Sequence, residues 1–119
     1  MTNDQQHKRR WRDYRTASGA RPVQEFLDQV PREDKAAILV TLGAIRRTGL
    51  TLARHLRGDI YEAKIDTVAH SYRVLFATEG CYNQVLLSLE AFSKKTRKTP
   101  PEKIQLAERR LADWRRRKG

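Results

Sequence analysis

A chain of 119 residues is long enough for one compact domain and too short for two cores of ordinary size. Its 25 Lys and Arg residues against 14 Asp and Glu residues give a net charge of +11, and 11 of the basic residues lie in the segment 94–119. The single Cys81 excludes an internal disulfide and fits a reducing cytoplasm, and no apolar stretch has the length of a membrane span. A basic end of this kind is typical of proteins that bind nucleic acids, with a solubilising charged tail as the alternative. We expect a single domain over residues 1–119, with residues 1–8 and 115–119 flexible.

The first half of the chain predicts a strand followed by two helices. Aromatic and charged residues alternate over residues 11–15, and Ser18-Gly19 ends this short strand. Pro22 suits the first turn of a helix whose apolar residues recur at helical spacing: Val23, Phe26, Leu27 and Val30. Pro31 separates it from a second helix, which ends near Gly49 and has a buried face of Ile38, Leu42 and Ile45. The two helices are expected to form an antiparallel hairpin.

The second half of the chain predicts three strands and a last helix. Residues 61–66 alternate apolar and polar side chains, residues 72–76 form the next strand, and residues 82–92 are apolar on both faces, as in a central strand. The last helix is expected to begin with a capping box, in which Thr99 is the N-cap and Glu102 the third helical residue. Its apolar stripe consists of Ile104, Ala107, Leu111 and Trp114. These elements together predict an α+β fold.

Pairing the strands collects charged residues on one open face of the sheet. With Asp66 opposite Ser71 in a first hairpin, Lys64 faces Arg73. A second hairpin is expected to bring Arg73 opposite Ser88, while the apolar side chains of all three strands pack against the helices. The open face then consists of Glu62, Lys64, Arg73, Ser88, Glu90 and Phe92.

The pair of Lys64 and Arg73 is a like-charge pair, which is unfavourable unless something compensates it. Two alternatives follow. Either the carboxylates of Glu62 and Glu90 neutralise the cations, or Arg73 and Lys64 together bind an external anion such as a phosphate.

Basic residues follow the third of these strands directly. Lys94, Lys95, Arg97 and Lys98 are expected to meet the phosphates of a nucleic acid. Neighbouring cations also lower the pKa of a lysine, so one of these residues acting as a base is the alternative to simple binding of the RNA backbone.

Further binding residues are expected on either side of this segment. Phe92 is the main candidate for stacking on a base. Arg115, Arg116 and Arg117 are expected to contact RNA without reading its sequence. One Cys, three scattered His and no carboxylate cluster with ligand spacing predict that the protein binds no metal and no other cofactor.

Three segments resemble a known family: residues 60–65 (IYEAKI), 72–76 (YRVLF) and 91–100 (AFSKKTRKTP). They are similar to the RelE/ParE toxin superfamily of bacterial toxin–antitoxin systems, and in particular to its phage-derived HigB-like branch. The resemblance implies a curled antiparallel sheet with an N-terminal helical hairpin and a C-terminal helix. It also implies a cytoplasmic mRNA endonuclease that acts on the ribosome, needs no metal, and is held inactive by a helix-turn-helix antitoxin encoded next to it.

The resemblance further implies roles for individual residues. Arg73 matches the arginine that stabilises the charged phosphorane, Lys64 matches a strand lysine at the same phosphate, and Lys94 or Lys95 matches a basic group near the scissile bond. The chain departs from the RelE pattern because Glu62 stands where a second lysine is expected and because no tyrosine lies at the start of the last helix. The base that accepts the 2′-hydroxyl proton is therefore not assigned; Glu62 and Glu90 are candidates, and His55 and His70 are weaker ones.

Two rival functions remain open at this stage. A ParE-like protein of the same fold would poison DNA gyrase and would not need Arg73 and the lysines to converge on one phosphate. A non-catalytic RNA- or DNA-binding module would instead need exposed aromatic residues, of which the open face offers chiefly Phe92.

Overall fold

A computed structural model describes residues 8–95 and 98–118 as a five-stranded sheet with helices on both of its faces. In chain order the elements are β1 (Arg10–Asp13), α1 (Pro22–Gln29), α2 (Arg32–Thr48), β2 (Arg54–Arg57), β3 (Ile60–Asp66), β4 (Ser71–Glu79), β5 (Val85–Ser93) and α3 (Pro101–Lys118). The strand order is β1-β5-β4-β3-β2. Strand β1 is parallel to β5, and the other pairs are antiparallel. The expected α+β class is confirmed, and β2 is a strand that the sequence did not predict.

The helical hairpin packs on one face of the sheet, as the spacing of its apolar residues predicts. Pro22 begins α1, and Val23 and Leu27 are buried beneath it. Gly49 ends α2 with a φ of 107°, a conformation that suits glycine, and its amide donates to the Ile45 carbonyl. The core on this side consists chiefly of Val23, Leu27, Ile38, Leu42, Ile45, Ile65, Tyr72, Val74, Phe76 and Leu86.

The other face of the sheet is covered by α3. Its apolar stripe is the expected one, since Ala107 and Leu111 are buried and Ile104 and Trp114 pack beside them. The strand residues beneath it are Ile60, Leu75, Ala77, Leu87, Leu89 and Phe92. Because both faces are covered, β5 is buried along almost its whole length, as its continuous apolar run predicts.

The register of the sheet agrees with expectation in one hairpin and differs in the next. Between β3 and β4, Lys64 lies opposite Arg73 as predicted. Between β4 and β5, Arg73 lies opposite Phe92, so the prediction that it faces Ser88 is wrong. The connection is longer than expected, because a short 3-10 turn at Cys81–Asn83 delays the start of β5 to Val85.

A β-bulge then shifts the register again. Leu75 is opposite Glu90 while Phe76 is opposite Ser88, which leaves Leu89 as the extra residue. Leu87, which lies before the bulge opposite Ala77, faces α3 because of the longer connection, and Leu89 also faces α3; both were expected on the face of Val74 and Phe76. The bulge then returns Glu90 and Phe92 to the α3 side, where they were expected.

The two ends of α3 also differ from expectation. The helix begins at Pro101, and the Thr99 hydroxyl donates to the Glu62 carboxylate, so Thr99 is not the N-cap. At the other end, α3 continues to Lys118, so Arg115, Arg116 and Arg117 lie in its last turn and not in an irregular tail. Arg115 binds Glu79 there at 2.6 Å. The flexibility of residues 115–119 stays a prediction.

No helix within residues 8–95 and 98–118 combines the length and apolarity that crossing a membrane requires.

Candidate active site

The charged cluster predicted on the sheet forms where β3 and β4 pair. Glu62 and Lys64 are two residues apart on β3 and so share one face, and Arg73 lies near the start of β4 directly opposite Lys64. All three side chains are therefore on the face of the sheet that α3 partly covers.

Arg73 is held rigidly by its neighbours on the sheet. It is 6% exposed, and its Nη1 donates to the Ser71 hydroxyl and to the Tyr72 carbonyl, both at 2.8 Å. Its Nε lies 3.7 Å from a Glu62 carboxylate oxygen, and this buried Nε has no hydrogen-bond partner within the described part of the chain. A buried donor without a partner is costly. Because Arg73 also lines the cavity described below, its guanidinium can contact an anion bound there.

Glu62 supplies much of the negative charge that the cation pair requires. It is 4% exposed and accepts the hydrogen bond from Thr99 on one oxygen while the other faces Arg73. Lys64 lies 3.7 Å from Asp66, whose pKa is held below its ordinary value by the hydrogen bond from Ser71 and by the charges of Lys64 and Arg73. Carboxylates on β3 therefore compensate the like-charge pair.

Glu90, the other expected carboxylate, has a different role. It binds Lys103 at 2.9 Å and Arg110 at 3.1 Å, both on α3. Glu90 therefore connects β5 to α3 through these ion pairs, and it does not line the cavity described below.

Lys94 is brought into the cluster by the end of β5. Its amide donates to the Ser71 carbonyl at 2.7 Å, and the residue is only 8% exposed. Burial lowers the pKa of the Lys94 ammonium, and the charges of Arg73, Lys64 and Arg54 lower it further, while Glu62 acts in the opposite direction. A lysine in such surroundings gives up its proton more readily than an exposed one.

These side chains open onto a cavity of about 360 Å³. Its wall consists of residues 51–54 together with Glu62, Lys64, Arg73 and Lys94. Four cations, counting Arg54, thus surround one buried carboxylate. Such a site is suited to hold a phosphodiester and to stabilise added negative charge on it.

Arg54 is the charged cavity residue that the sequence did not predict, because the pattern of β2 was not identified as a strand. The available signal was Gly58-Asp59, a two-residue connection between β2 and β3 in which Gly58 has a φ of 52°. Such pairs are typical of tight β-hairpins.

Two comparisons with known proteins bear on this site. The model of the family "Phage derived protein Gp49-like (DUF891)" matches residues 25–112. The chain is also 34% identical over 110 residues to the "Probable endoribonuclease HigB1" of Mycobacterium tuberculosis (strain CDC 1551 / Oshkosh), with 89% of this chain and 85% of the relative covered. The protein of the same name from strain ATCC 25618 / H37Rv matches with the same 34% identity and coverage. The chain belongs to the Gp49-like family. The resemblance to the HigB-like branch is confirmed.

In this Gp49-like protein, every residue that lines the cavity lies within the stretch that matches the family model. The site is therefore part of the family domain. By contrast, Arg115, Arg116 and Arg117 lie beyond the matched stretch.

Several predicted site residues of the Gp49-like chain lie away from the cavity: Lys95, a candidate for the basic group near the scissile bond, and some of the residues predicted to bind RNA. Lys95 and Lys98 are exposed and do not line it, and Arg97 lies outside the described residues. Phe92 is 6% exposed beneath α3, with the Lys103 ammonium 5.2 Å from its ring centroid. The expectation that Phe92 stacks on a base is wrong in this structure, because α3 covers the ring.

The three C-terminal arginines already have protein partners. Arg115 binds Glu79 and Asp59, and Arg116 and Arg117 both bind Asp113, with each pair at 2.6 to 2.9 Å. These carboxylates neutralise much of the positive charge that was expected to attract RNA.

The two described histidines lie outside the cavity. The His55 Nε2 is 2.7 Å from the Gly58 carbonyl, and the His70 Nδ1 is 2.9 Å from Asp34. Tyr72 donates to the same Asp34 carboxylate at 2.5 Å, and burial together with this acidic neighbour raises the pKa of Tyr72 to about 12. Tyr72 is a core residue, as predicted.

Proposed function

We propose that this protein is an mRNA endonuclease toxin of a type II toxin–antitoxin system and that the cavity around Arg73 is its active site. The observation that supports this most directly is the buried Arg73 guanidinium, whose Nε lacks a hydrogen-bond partner among the described residues, in a cavity lined by three further cations. The name of the HigB1 relatives supports the same activity.

The proposed reaction is transfer of the phosphodiester to the neighbouring ribose 2′-hydroxyl. A base removes the 2′-hydroxyl proton, the 2′ oxygen attacks phosphorus, and the bond from phosphorus to the 5′ oxygen breaks. A proton then reaches the leaving 5′ oxygen, and the products are a 2′,3′-cyclic phosphate and a 5′-hydroxyl. Arg73 stabilises the extra negative charge of the phosphorane, because its fork of donors meets two phosphoryl oxygens at once.

Lys94 is the candidate for the base in this scheme. Its pKa is lowered by burial and by the surrounding cations, which raises the neutral fraction of the amine near physiological pH. Glu62 is less suited, since one of its carboxylate oxygens accepts the hydrogen bond from Thr99 and the other lies 3.7 Å from the Nε of Arg73, so both oxygens already face protein donors. Lys64, whose side chain is 62% exposed, is available to protonate the leaving oxygen.

Three finer points of the proposal rest on the family resemblance. The cleavage needs no metal, because side-chain cations perform the charge stabilisation that a metal ion would otherwise supply. Cleavage takes place on the ribosome in the cytoplasm. A helix-turn-helix antitoxin neutralises the protein.

Expression of the full chain in bacteria tests this proposal. We expect growth arrest with mRNA cut inside open reading frames, and no arrest from the Arg73→Ala variant at equal soluble level. Arg32→Ala, an exposed arginine on α2, is the matched control and should remain toxic. Arrest with intact mRNA and broken chromosomes would support the gyrase-directed rival instead.

A further inference from the structure

A second cavity, of about 480 Å³, lies at the far end of α3. Its volume falls in the range of ordinary ligand pockets. The charged and apolar residues that line it come from β1, the end of β4, the start of β5 and the last turns of α3: the cations Arg10, Arg12, Arg117 and Lys118, the carboxylate of Glu79, and the side chains of Val85 and Trp114.

Two of its cations have no acidic partner among the described residues. Arg117 binds Asp113 at 2.7 Å, and Lys118 lies 3.7 Å from Glu79. Arg10 and Arg12 form no ion pair within residues 8–95 and 98–118, and Arg12 instead lies 5.1 Å from the centroid of the Trp114 ring. The charge of these two arginines is thus available to an anionic ligand.

Trp114 adds a second kind of binding group. Its indole Nε1 is buried and, within the described segments, lacks a hydrogen-bond partner. The same indole and Arg12 also line an adjoining cavity of about 350 Å³. An aromatic wall with an unsatisfied donor beside two arginines suits a ligand with both a planar heteroaromatic part and an anionic part.

The separation between this cavity and the active site can be compared with the length of an RNA strand that would reach both. The segment before α3 contacts the active site, because Thr99 bonds to Glu62, whereas Arg117 and Lys118 at the end of α3 line the second cavity. At 1.5 Å per residue, the 18 residues of α3 span about 27 Å. A single RNA strand covers that distance with roughly eight nucleotides at the spacing of stacked bases.

We propose that this second cavity binds a nucleotide of the substrate RNA, several nucleotides away from the cleaved bond. The inference rests on the proposed function. Arg10 and Arg12 bind the phosphate, and the wall of Trp114 and Val85 contacts the base. An acidic peptide would engage the arginines alone, so a nucleotide uses more of the groups present.

The test compares affinities for short and long RNA. The probes are 2′-O-methyl oligonucleotides of about 4 and about 12 nucleotides, which lack the attacking hydroxyl and therefore report binding alone. The wild-type protein should bind the long probe more tightly than the short one. Arg10→Ala/Arg12→Ala should lose roughly three- to tenfold of the affinity for the long probe. Its salt dependence for that probe should fall by a slope of about 0.7, as expected when one phosphate of a single strand is no longer neutralised.

The matched control is Arg32→Ala/Arg109→Ala, which removes the same charge from exposed positions that line neither cavity. If the double variant and this control bind the long probe equally, the inference is overturned. It is also overturned if a polyglutamate peptide competes for Arg10 and Arg12 as well as the long RNA does, which would indicate an acidic protein partner. If the double variant is unstable, the affinity for the long probe is measured instead with Arg10→Glu, a single substitution at an exposed position. Length-dependent binding without any cleavage of natural RNA would overturn the proposed function and leave this inference standing.

Discussion

Thr99 donates its hydroxyl to the Glu62 carboxylate and so joins the segment before α3 to the middle of β3. Glu62 in turn lies 3.7 Å from the Nε of Arg73. The position of the arginine in the proposed active site therefore depends on a contact between two distant parts of the chain, and the local sequence around Arg73 does not fix it alone.

Removal of the Arg73 side chain should reduce the chemical step more than RNA binding. Because the guanidinium is aimed at charge that appears in the transition state, Arg73→Ala should lower the cleavage rate by about 10²–10³-fold. Single-turnover cleavage of RNA at saturating protein measures this rate. Arg32→Ala is the control. A wild-type rate for Arg73→Ala at saturation would mean that Arg73 only binds RNA and that the proposed site is wrong.

The cleavage rate should rise with pH through the pKa of Lys94. A neutral amine is the reactive form, and burial with the neighbouring cations lowers the pKa of Lys94 below its ordinary value of 10.5, so the rise should be centred below that value. Lys94→Arg keeps the positive charge but cannot release a proton, and it should lose about 10²-fold or more in rate. Single-turnover rates measured over a pH series check both points; an unchanged rate in Lys94→Arg excludes the lysine as base.

Neutralisation of Glu62 should move that pH profile in a defined direction. The negative charge of Glu62 raises the pKa of Lys94, so Glu62→Gln should shift the rising limb to lower pH. Glutamine can still accept the hydrogen bond from Thr99. Glu102→Gln makes the same chemical change at an exposed position and should leave the profile where it is. A shift to higher pH, or no shift, would contradict the proposed coupling.

Cleavage should survive removal of divalent cations. No group of His, Cys, Asp and Glu side chains in the described ranges 8–95 and 98–118 is arranged to hold a metal ion, and side-chain cations line the proposed site. Ribosomes themselves require Mg²⁺, so the assay uses excess protein and a short free RNA with EDTA. Loss of activity that one specific divalent ion restores would show that the chemistry depends on a metal.

Arg115 should matter for stability. Its guanidinium binds Glu79, whose side chain is only 9% exposed, so Arg115→Ala leaves a nearly buried carboxylate with a weaker partner. The free energy of unfolding should fall by about 1–3 kcal/mol, measured by urea titration. Arg116 is the neighbouring and more exposed residue. Arg116→Ala should lower the free energy of unfolding by less than about 0.5 kcal/mol, because Asp113 retains its ion pair with Arg117. If the two variants lower the free energy of unfolding equally, Arg115 contributes no more than an ordinary surface charge.

The parts of the fold that the sequence predicted are those set by local pattern. The spacing of Val23 and Leu27 identifies the buried face of α1, and the alternation in β3 fixes which side Lys64 takes. Lys64 and Arg73 were paired correctly because the connection between β3 and β4 is short.

The remaining features depend on contacts between distant segments. The register of β5 follows from a connection and a bulge that no local pattern indicates. Thr99 carries the signature of an N-cap, yet its hydroxyl bonds to Glu62 on a strand far away in the chain. Residues 51–54 likewise line the same cavity as Lys94 although they come from a distant part of the chain, and no local pattern around Lys94 indicates this.

The bulge at Leu89 has a consequence for how the chain tolerates change. Before it, β5 pairs with β1 through Val85 to Ser88; after it, the same strand leads to Lys94. Side chains alternate between the two faces of a strand. The one extra residue therefore reverses, after the bulge, which residues of β5 face α3 and which face the helical hairpin. Loss of a single residue here would rotate Glu90 and Phe92 to the side of the helical hairpin while β1 kept its pairing. Sequence drift can therefore replace side chains along β5 far more freely than it can alter the length of the strand.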